Sequence, residues 1–327
     1  MIQLTLEKAE NILVATHVDP DGDAIGSLTA VGLALRQIEQ KVTLVCDDNV
    51  PERFRYLPLS EKVRKSPDRL NGHDLLIAVD CGDEFRLGKA FSSLPDPKPF
   101  IINIDHHVTN TRFGDINLVD PQATSTAEML YQLFTDLGIV ISQEIALSLL
   151  TGLVTDTLGF RTVGVSADTL RIAADLIEAG ADLGFVTTYA LNLRTMPTLR
   201  LWGTGINKMH LENGLLWTSI TNQERKAAKF RSNSSVGLVN MLADVDGASM
   251  GAVLMEMDDG TVKVGLRCRP PFDVSAVAMA LGGGGHPLAA GCTLTGSLEE
   301  AEALLVRLCQ DAIIRQSSPV PEMQQGD

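Results

Sequence analysis

The first half of the chain alternates short apolar runs with segments whose apolar residues recur at helical spacing. The apolar runs have the length of buried strands and lie at residues 11–16, 41–46, 74–79 and 100–104. Strands that alternate with helices pair in parallel, because each helix returns the chain to the same end of the sheet. The pattern predicts a doubly wound, mainly parallel sheet with helices on both faces.

Helix signals fill the segments between and after these runs. Residues 24–40 have helical spacing, and Ser125 with Glu128 has the spacing of a capping box that opens a further helix. Residues 142–157 and 166–179 are predicted to form two more helices. These helices would cover the faces of the predicted sheet.

The pattern changes after about residue 185. Strand signals then dominate, and Asn213-Gly214 and Asp259-Gly260 are typical of hairpin turns. We therefore predict an α/β chain with a second, smaller α/β domain and an active-site cleft between the two domains. The predicted segments are a catalytic domain at 1–185, a helical linker at 186–208, a substrate-binding domain at 209–316 and a flexible tail at 317–327.

Composition excludes several classes of protein. A length of 327 residues suits two domains, and the five cysteines include no Cys-x-x-Cys pair that would indicate a zinc knot. The N-terminus lacks the pattern of a signal peptide, and no apolar run approaches the roughly 18 residues of a membrane span. We expect a reduced, cytoplasmic protein.

The net charge of −14 indicates what the protein does not bind. A strongly acidic surface repels long duplex DNA and anionic membranes. It does not exclude a small phosphorylated substrate, which a few cationic groups can attract locally, within roughly 8 Å. The expected partner is therefore a short RNA or a mononucleotide, and the oligomeric state, a homodimer included, stays open.

Acidic and histidine side chains follow three of the four predicted strands. They are His17, Asp21 and Asp23 after the first strand, Asp80 after the third, and Asp105, His106 and His107 after the fourth. The carboxyl ends of parallel strands share one edge of a sheet, where ligands bind. Asp156 ends a strongly apolar predicted helix, where a buried carboxylate needs a partner.

The residue types at this edge predict a metal site. Carboxylates and imidazoles without thiolates suit Mn²⁺ or Mg²⁺. The number of carboxylates indicates two ions, which at ~4 Å separation clamp a phosphoryl oxygen and generate hydroxide at neutral pH. Mutual repulsion within the acidic cluster would then be neutralised by the metal.

With these residues in this order, the sequence resembles the DHH phosphoesterases, a superfamily named for the triplet at 105–107. The second half resembles the DHH-associated domain through VGLRCR at 264–269 and GGGGHPLAAG at 282–291. The combination looks most like the nano-RNase/pAp phosphatase branch. Those enzymes degrade very short oligonucleotides from an end and remove a phosphate from 3′-phosphoadenosine 5′-phosphate (pAp).

The resemblance implies a role for each residue of the motifs. His17, Asp21 and Asp80 would surround one ion, and Asp80 would bridge to a second ion held by Asp23, His106 and Asp156. His107 would face the scissile phosphate as a donor or acid, and Asp105 would orient its neighbours. Asp19 departs from the family pattern, and whether it binds metal is left open.

The resemblance also implies a substrate-binding set in the second domain: Arg267, Gly283, Gly284, Gly285 and His286. Four consecutive glycines lose backbone entropy on folding. Either the segment is a plain flexible turn, or its N–H groups approach an anion closely. The adjacent histidine and the arginine favour the second reading, since arginine binds phosphate through paired donors.

We therefore predict a two-metal hydrolase of phosphoester bonds in short nucleotides. Alternatives are a phosphodiesterase of cyclic or linear dinucleotides and a processive exonuclease resembling RecJ, which the acidic charge disfavours. A manganese pyrophosphatase would share the metal motifs but not the glycine-rich second domain. A nucleotide-binding regulatory module without catalysis is the alternative of another class. The preferred substrate, the polarity of cleavage and the physiological ion stay open.

Overall fold

A computed structural model describes residues 1–66, 70–232, 235 and 237–317 of the chain. The chain forms two compact units that divide between Leu193 and Arg194. This division falls within 186–208, the predicted linker, which is largely helical and contributes to both units. The predicted tail lies outside the described residues, apart from Ser317 at the end of the last helix.

The first unit contains a five-stranded parallel sheet flanked by helices, as predicted. Its strands are β1 Ile12–Ala15, β2 Val42–Val45, β3 Leu75–Val79, β4 Phe100–Asp105 and β5 Ile116–Val119, in the order β2-β1-β3-β4-β5. Its helices are α1 Ile2–Lys8, α2 Gly22–Gln37, α3 Lys89–Ser92, α4 Thr126–Asp136, α5 Gln143–Asp156, α6 Ala167–Glu178 and α7 Leu183–Val186. The four predicted strands are confirmed, and β5 is an addition.

The strand order explains why the predicted site residues can meet. β1, β3 and β4 are neighbours in the sheet, although the chain forms β2 between the first two. Asp80 directly follows β3, and Asp105 is the last residue of β4. His17 comes two residues after the end of β1. All three strands run parallel, so these residues lie at one edge of the sheet.

Helices α2 and α5 pack at backbone distance, and this contact fixes the start of α2. A Cβ atom added to Gly26 would lie 2.6 Å from the carbonyl oxygen of Ser148. A Cβ atom added to Gly152 would lie 2.5 Å from Oδ1 of Asp23. Glycine is therefore required at both positions, and the close approach brings Asp23 against α5.

The second unit contains a six-stranded mixed sheet with helices. Its strands are β6 His210–Glu212, β7 Leu215–Ile220, β8 Met250–Glu256, β9 Val262–Cys268, β10 Gly284–His286 and β11 Ala289–Leu294, in the order β10-β11-β9-β8-β7-β6. Its helices are α8 Met196–Asn207, α9 Asn222–Ala227, α10 Leu238–Ala243, α11 Ser275–Ala280 and α12 Leu298–Ser317. Among the described helices, even the 20-residue α12 included, none is long and apolar enough to cross a membrane.

Both predicted hairpins are present in this unit. Asn213 and Gly214 have φ angles of 49° and 80° and join the antiparallel strands β6 and β7. Asp259-Gly260 lies in the connection between the antiparallel strands β8 and β9. Positive φ at both turn residues suits the twist of a two-residue hairpin, which explains the Asn-Gly pair.

The glycine-rich run does not form the predicted loop. Gly284 lies in the edge strand β10, which pairs with β11. A Cβ atom on Gly283 would lie 2.2 Å from the carbonyl oxygen of Gly291, and one on Gly285 would lie 2.5 Å from that of Ala289. Two of the four glycines are thus required by strand approach, whereas a Cβ atom on Gly284 would meet nothing within 4 Å.

Two glycine substitutions, one at the contact between α2 and α5 and one in α8, should have opposite effects on stability. Gly26→Ala should lower the free energy of unfolding by about 1–3 kcal/mol, because the backbone it would meet cannot move aside. Gly203→Ala in α8 should raise it by about 0.5–1 kcal/mol, because the site is open and alanine favours the helix. Urea unfolding followed by circular dichroism would measure both, and a Gly26→Ala protein as stable as the wild type would contradict the packing argument.

Candidate metal centre

Asp80 lies at the centre of the acidic cluster. It is buried, its φ is +56°, and its N–H donates to the carbonyl oxygen of Ile104 at 2.9 Å. Its Oδ1 accepts a hydrogen bond from Oγ1 of Thr126 at 3.0 Å and lies 3.7 Å from Nε2 of His106. Its Oδ2 lies 3.6 Å from Nε2 of His17. The two carboxylate oxygens therefore face different histidines.

One ligand group forms on the β1 side of Asp80. Nδ1 of His17 donates to the carbonyl oxygen of Val18 at 2.7 Å, which orients the ring so that Nε2 faces the acids. Asp21 caps α2 through Oδ1, and this oxygen lies 4.0 Å from Nε2 of His17. His17, Asp21 and Asp80 each offer a ligand atom, and these atoms lie within 4.8 Å of one another.

A second ligand group forms where α4 and α5 meet the edge of the sheet. Asp23 is fully buried, and it accepts from the N–H groups of Thr126 at 2.6 Å and Ala127 at 3.0 Å. Nε2 of His106 lies 3.2 Å from Oδ2 of Asp156, the last residue of α5. Ligand atoms of Asp23, His106 and Asp156 also lie within 4.8 Å of one another.

His107 forms a hydrogen bond with Asp105. Nδ1 of His107 lies 2.7 Å from Oδ1 of the fully buried Asp105. The other oxygen of Asp105 accepts from Nδ2 of Asn110. Asp80, His106 and His107 form a third group with ligand atoms within 4.8 Å. Because Nδ1 of His107, 3.8 Å from Oδ1 of Asp80, already serves Asp105, this group is less suited to hold an ion.

The electrostatics of the cluster fit a cation. Burial raises the pKa of Asp23 well above its usual value, and the charges of Asp80, Asp156 and Asp21 add to this effect. Burial likewise raises the pKa of Asp156, with Asp21, Asp80 and Asp105 contributing. Burial alone would raise the pKa of Asp80 too, but His17 and the other two histidines lower it. Bound cations would relieve the repulsion between these carboxylates.

The chemistry of the donor set also fits Mn²⁺ or Mg²⁺. The ligand atoms are carboxylate oxygens and imidazole nitrogens. The thiol of Cys81 follows Asp80 but donates to the carbonyl oxygen of Asp83 at 3.0 Å. Burial raises the pKa of this thiol, so it stays protonated. The residues present are therefore suited to divalent ions that prefer oxygen and nitrogen.

The structure separates Asp19 from this cluster. Asp19 is exposed, has a φ of +54° and donates its N–H to Oδ2 of Asp48 at 2.8 Å. Within the described part of the chain, the groups with metal-ligand spacing do not include it. Thr126 and Asn110 contact the site but were not predicted, since a single hydroxyl or amide in a loop or helix start carries no spacing signal.

Two of the predicted substrate-binding residues, Arg267 and His286, share one row of the second sheet. Arg267 pairs with Ala289 across β9 and β11, and Ala289 pairs with His286 across β11 and β10. Residues in one such row point to the same face of the sheet. Arg267 and His286 are two strands apart in the row, which corresponds to about 10 Å. Nη1 of Arg267 donates to the carbonyl oxygen of Leu266 at 2.9 Å. An arginine and a histidine thus lie on the face next to the exposed Gly284.

Arg269 has a different role from Arg267. Its Nη2 donates to the carbonyl oxygens of Val245 at 3.2 Å and Ala248 at 2.8 Å. These bonds hold the segment after α10 against β9. The guanidinium of Arg269 is therefore used within the fold.

The sequence matches two domain families and several named proteins. Residues 11–153 match the DHH family, N-terminal domain, and residues 225–313 match the DHHA1 domain. A Thermus thermophilus protein named bifunctional oligoribonuclease and PAP phosphatase NrnA is 36% identical over 306 residues, which cover 93% of this chain and 90% of that protein. The Bacillus subtilis protein of the same name is 26% identical over 319 residues, or 93% and 95% of the two chains.

A solved structure shows the same fold over nearly the whole chain. The crystal structure of an exopolyphosphatase-related protein from Bacteroides fragilis has a TM-score of 0.90 and 24% identity, and the match covers 97% of this chain and 96% of that one. The family models match both halves, and the Thermus thermophilus relative matches over almost the full length. The protein therefore belongs to the DHH family and carries a DHHA1 domain in its second half.

Proposed function

We propose that this protein is a metal-dependent phosphoesterase that hydrolyses very short oligoribonucleotides and pAp. The observation that carries the proposal is the position of Asp80 between two groups of ligand atoms at one edge of the sheet. Two relatives that match 93% of the chain are named for oligoribonuclease and PAP phosphatase activity. The site and the relatives thus support the same reaction class.

The ligand atoms fall into two sets that share Asp80. His17, Asp21 and Asp80 would hold one ion, and Asp23, Asp80, His106 and Asp156 would hold the other. Mn²⁺ suits this mixture of imidazole and carboxylate, with Mg²⁺ as the alternative. Two bound divalent ions supply positive charge to phosphate oxygens and lower the pKa of water.

The chain itself supplies a proton donor beside this site. Burial would lower the pKa of His107, but the hydrogen bond to Asp105 and the charges of Asp80 and Asp105 raise it. His107 therefore takes up a proton more readily than a free histidine does, and Asp105 anchors Nδ1 of the ring. Nε2 of His107 is then the atom that would donate a proton to the leaving oxygen of the substrate.

The second unit would bind nucleotide through the row that contains Arg267 and His286. Burial lowers the pKa of Arg267, but an arginine remains charged and can bind a phosphate through paired donors. Gly284 lies beside this row on an exposed edge strand. Its missing side chain would let a nucleotide approach the backbone closely.

A panel of substrates tests the proposed activity. With Mn²⁺ present, pAp, a dinucleotide and a five-mer should be hydrolysed in preference to a long single strand and a cyclic dinucleotide. Time-resolved product analysis would measure all five side by side. Faster loss of the long strand or of the cyclic substrate would overturn the substrate assignment. Nucleotide binding without hydrolysis at any Mn²⁺ concentration would indicate a regulatory module instead.

Gly284→Ala tests the role of the glycine run. The added methyl group has open space within the protein, so the fold should be retained. If the backbone there contacts substrate, KM should rise by about tenfold or more, which corresponds to about 1.4 kcal/mol, with little change in kcat. Steady-state kinetics on pAp and a dinucleotide would measure this effect.

Gly283→Ala is the matched control for this test. A methyl group there would meet the carbonyl oxygen of Gly291, so this variant should lose stability. Circular dichroism and thermal unfolding would distinguish the two variants. A Gly284→Ala enzyme with an unchanged KM would show that the backbone at Gly284 does not contact substrate.

A further inference from the structure

Arg86 lies at the edge of the metal centre, on a short 3₁₀ segment that closely follows Asp80. Oδ1 of Asp83 accepts from the N–H groups of Phe85 at 2.9 Å and Arg86 at 3.0 Å, so Asp83 caps the segment. The carbonyl oxygen of Arg86 accepts from the N–H of Val18 at 2.8 Å. The backbone of Arg86 is thus held between the ends of β3 and β1, beside the first ligand group.

The backbone of Arg86 lies beside two histidines of the site. Its carbonyl oxygen accepts from Val18, the residue after His17, and Arg86 lies six residues after Asp80, which is 3.6 Å from Nε2 of His17 and 3.8 Å from Nδ1 of His107. His17 belongs to one ligand group, and His107 is the proposed proton donor. Arg86 is only half-buried, so a ligand can reach it from solvent.

The guanidinium of Arg86 has no hydrogen bond or ion pair with any residue that the structure describes. This is notable because five aspartates surround the neighbouring centre: Asp21, Asp23, Asp80, Asp105 and Asp156. An arginine beside so many carboxylates normally pairs with one of them. Here the acids are directed at the histidines and at backbone N–H groups, and none of them, nor any other residue in the described ranges, accepts from the guanidinium of Arg86.

We propose that Arg86 binds the phosphate group that is cleaved, through paired N–H donors to its non-bridging oxygens. The inference rests on the proposed function, since it takes the substrate to be a phosphate ester. Guanidinium cannot bind a metal ion, because it has no lone pair to donate, but its fork matches phosphate. A fixed cation at this position also stabilises the negative charge that develops during hydrolysis.

Variants of Arg86 test this assignment with separate readouts for substrate and for metal. Arg86→Gln should lower kcat/KM for pAp and for a dinucleotide by about 100-fold or more, the size of effect seen when one such donor is removed. Inorganic phosphate, used as a competitive inhibitor in the presence of Mn²⁺, should bind at least about tenfold more weakly. Calorimetry should show the same number of Mn²⁺ ions, bound equally or more tightly, because a repelling cation has been removed.

Two further variants complete the comparison. Arg86→Lys keeps the charge but loses the fork, so it should recover only part of the activity. Arg36→Gln is the matched control, because Arg36 is exposed and lies about 21 Å along α2 from Gly22 at the site. It should behave like the wild type in hydrolysis, phosphate inhibition and Mn²⁺ binding.

The possible outcomes separate this inference from the proposed function. Retained kcat/KM and phosphate inhibition in Arg86→Gln would overturn the contact, and loss of Mn²⁺ from that variant would show a structural role instead. A wild-type chain that binds phosphate through Arg86 but hydrolyses no phosphoester would refute the proposed function alone. A wild-type chain with Mn²⁺ that neither binds phosphate nor hydrolyses pAp would overturn both.

Discussion

Repulsion between buried carboxylates is the constraint on which this site depends. Asp23, Asp80 and Asp105 are each at most 1% exposed, and they lie within one small volume. Removing several negative charges from water is costly unless hydrogen bonds and opposite charges compensate. Asp80 has compensation from histidines, whereas Asp23 and Asp156 keep raised pKa values. The residual imbalance is what divalent cations would correct.

The same acids also stabilise the local fold. Asp21 caps α2, and Asp23 accepts from the first N–H groups of α4, where the helix dipole favours negative charge. The close contact between α2 and α5 at Gly26 and Gly152 then fixes these helix starts at the sheet edge. The ligand positions are therefore set by helix ends and strand ends rather than by a flexible loop, which gives a rigid site.

Much of the first unit could be predicted from the sequence because its three central strands, β1, β3 and β4, are largely buried. The four confirmed strands are continuous apolar runs, and such runs are typical of parallel sheets. β5 is only half-buried at the sheet edge, so its sequence, INLV in Ile116–Val119, has no comparable contrast with its surroundings. The acidic motifs after β1, β3 and β4 were recognisable because parallel strands end together.

Other features depend on contacts that no local pattern encodes. The hydroxyl of Thr126 reaches Asp80 from 46 positions away in the sequence. The glycine run was interpreted as an anion-binding loop, yet Gly283 and Gly285 are needed for strand approach in a hairpin. Arg86 lies on a short 3₁₀ segment, where residue spacing gives no indication of a role at the site.

The central claim is that two sets of ligand atoms share Asp80 and hold two divalent ions. A calorimetric titration of the metal-free protein with Mn²⁺, repeated on Asp156→Asn, tests it directly. The account predicts two ions for the wild type and one for the variant, because His17 and Asp21 remain while the second set loses a charged ligand. A single ion in the wild type, or two equally tight ions in Asp156→Asn, would contradict the account.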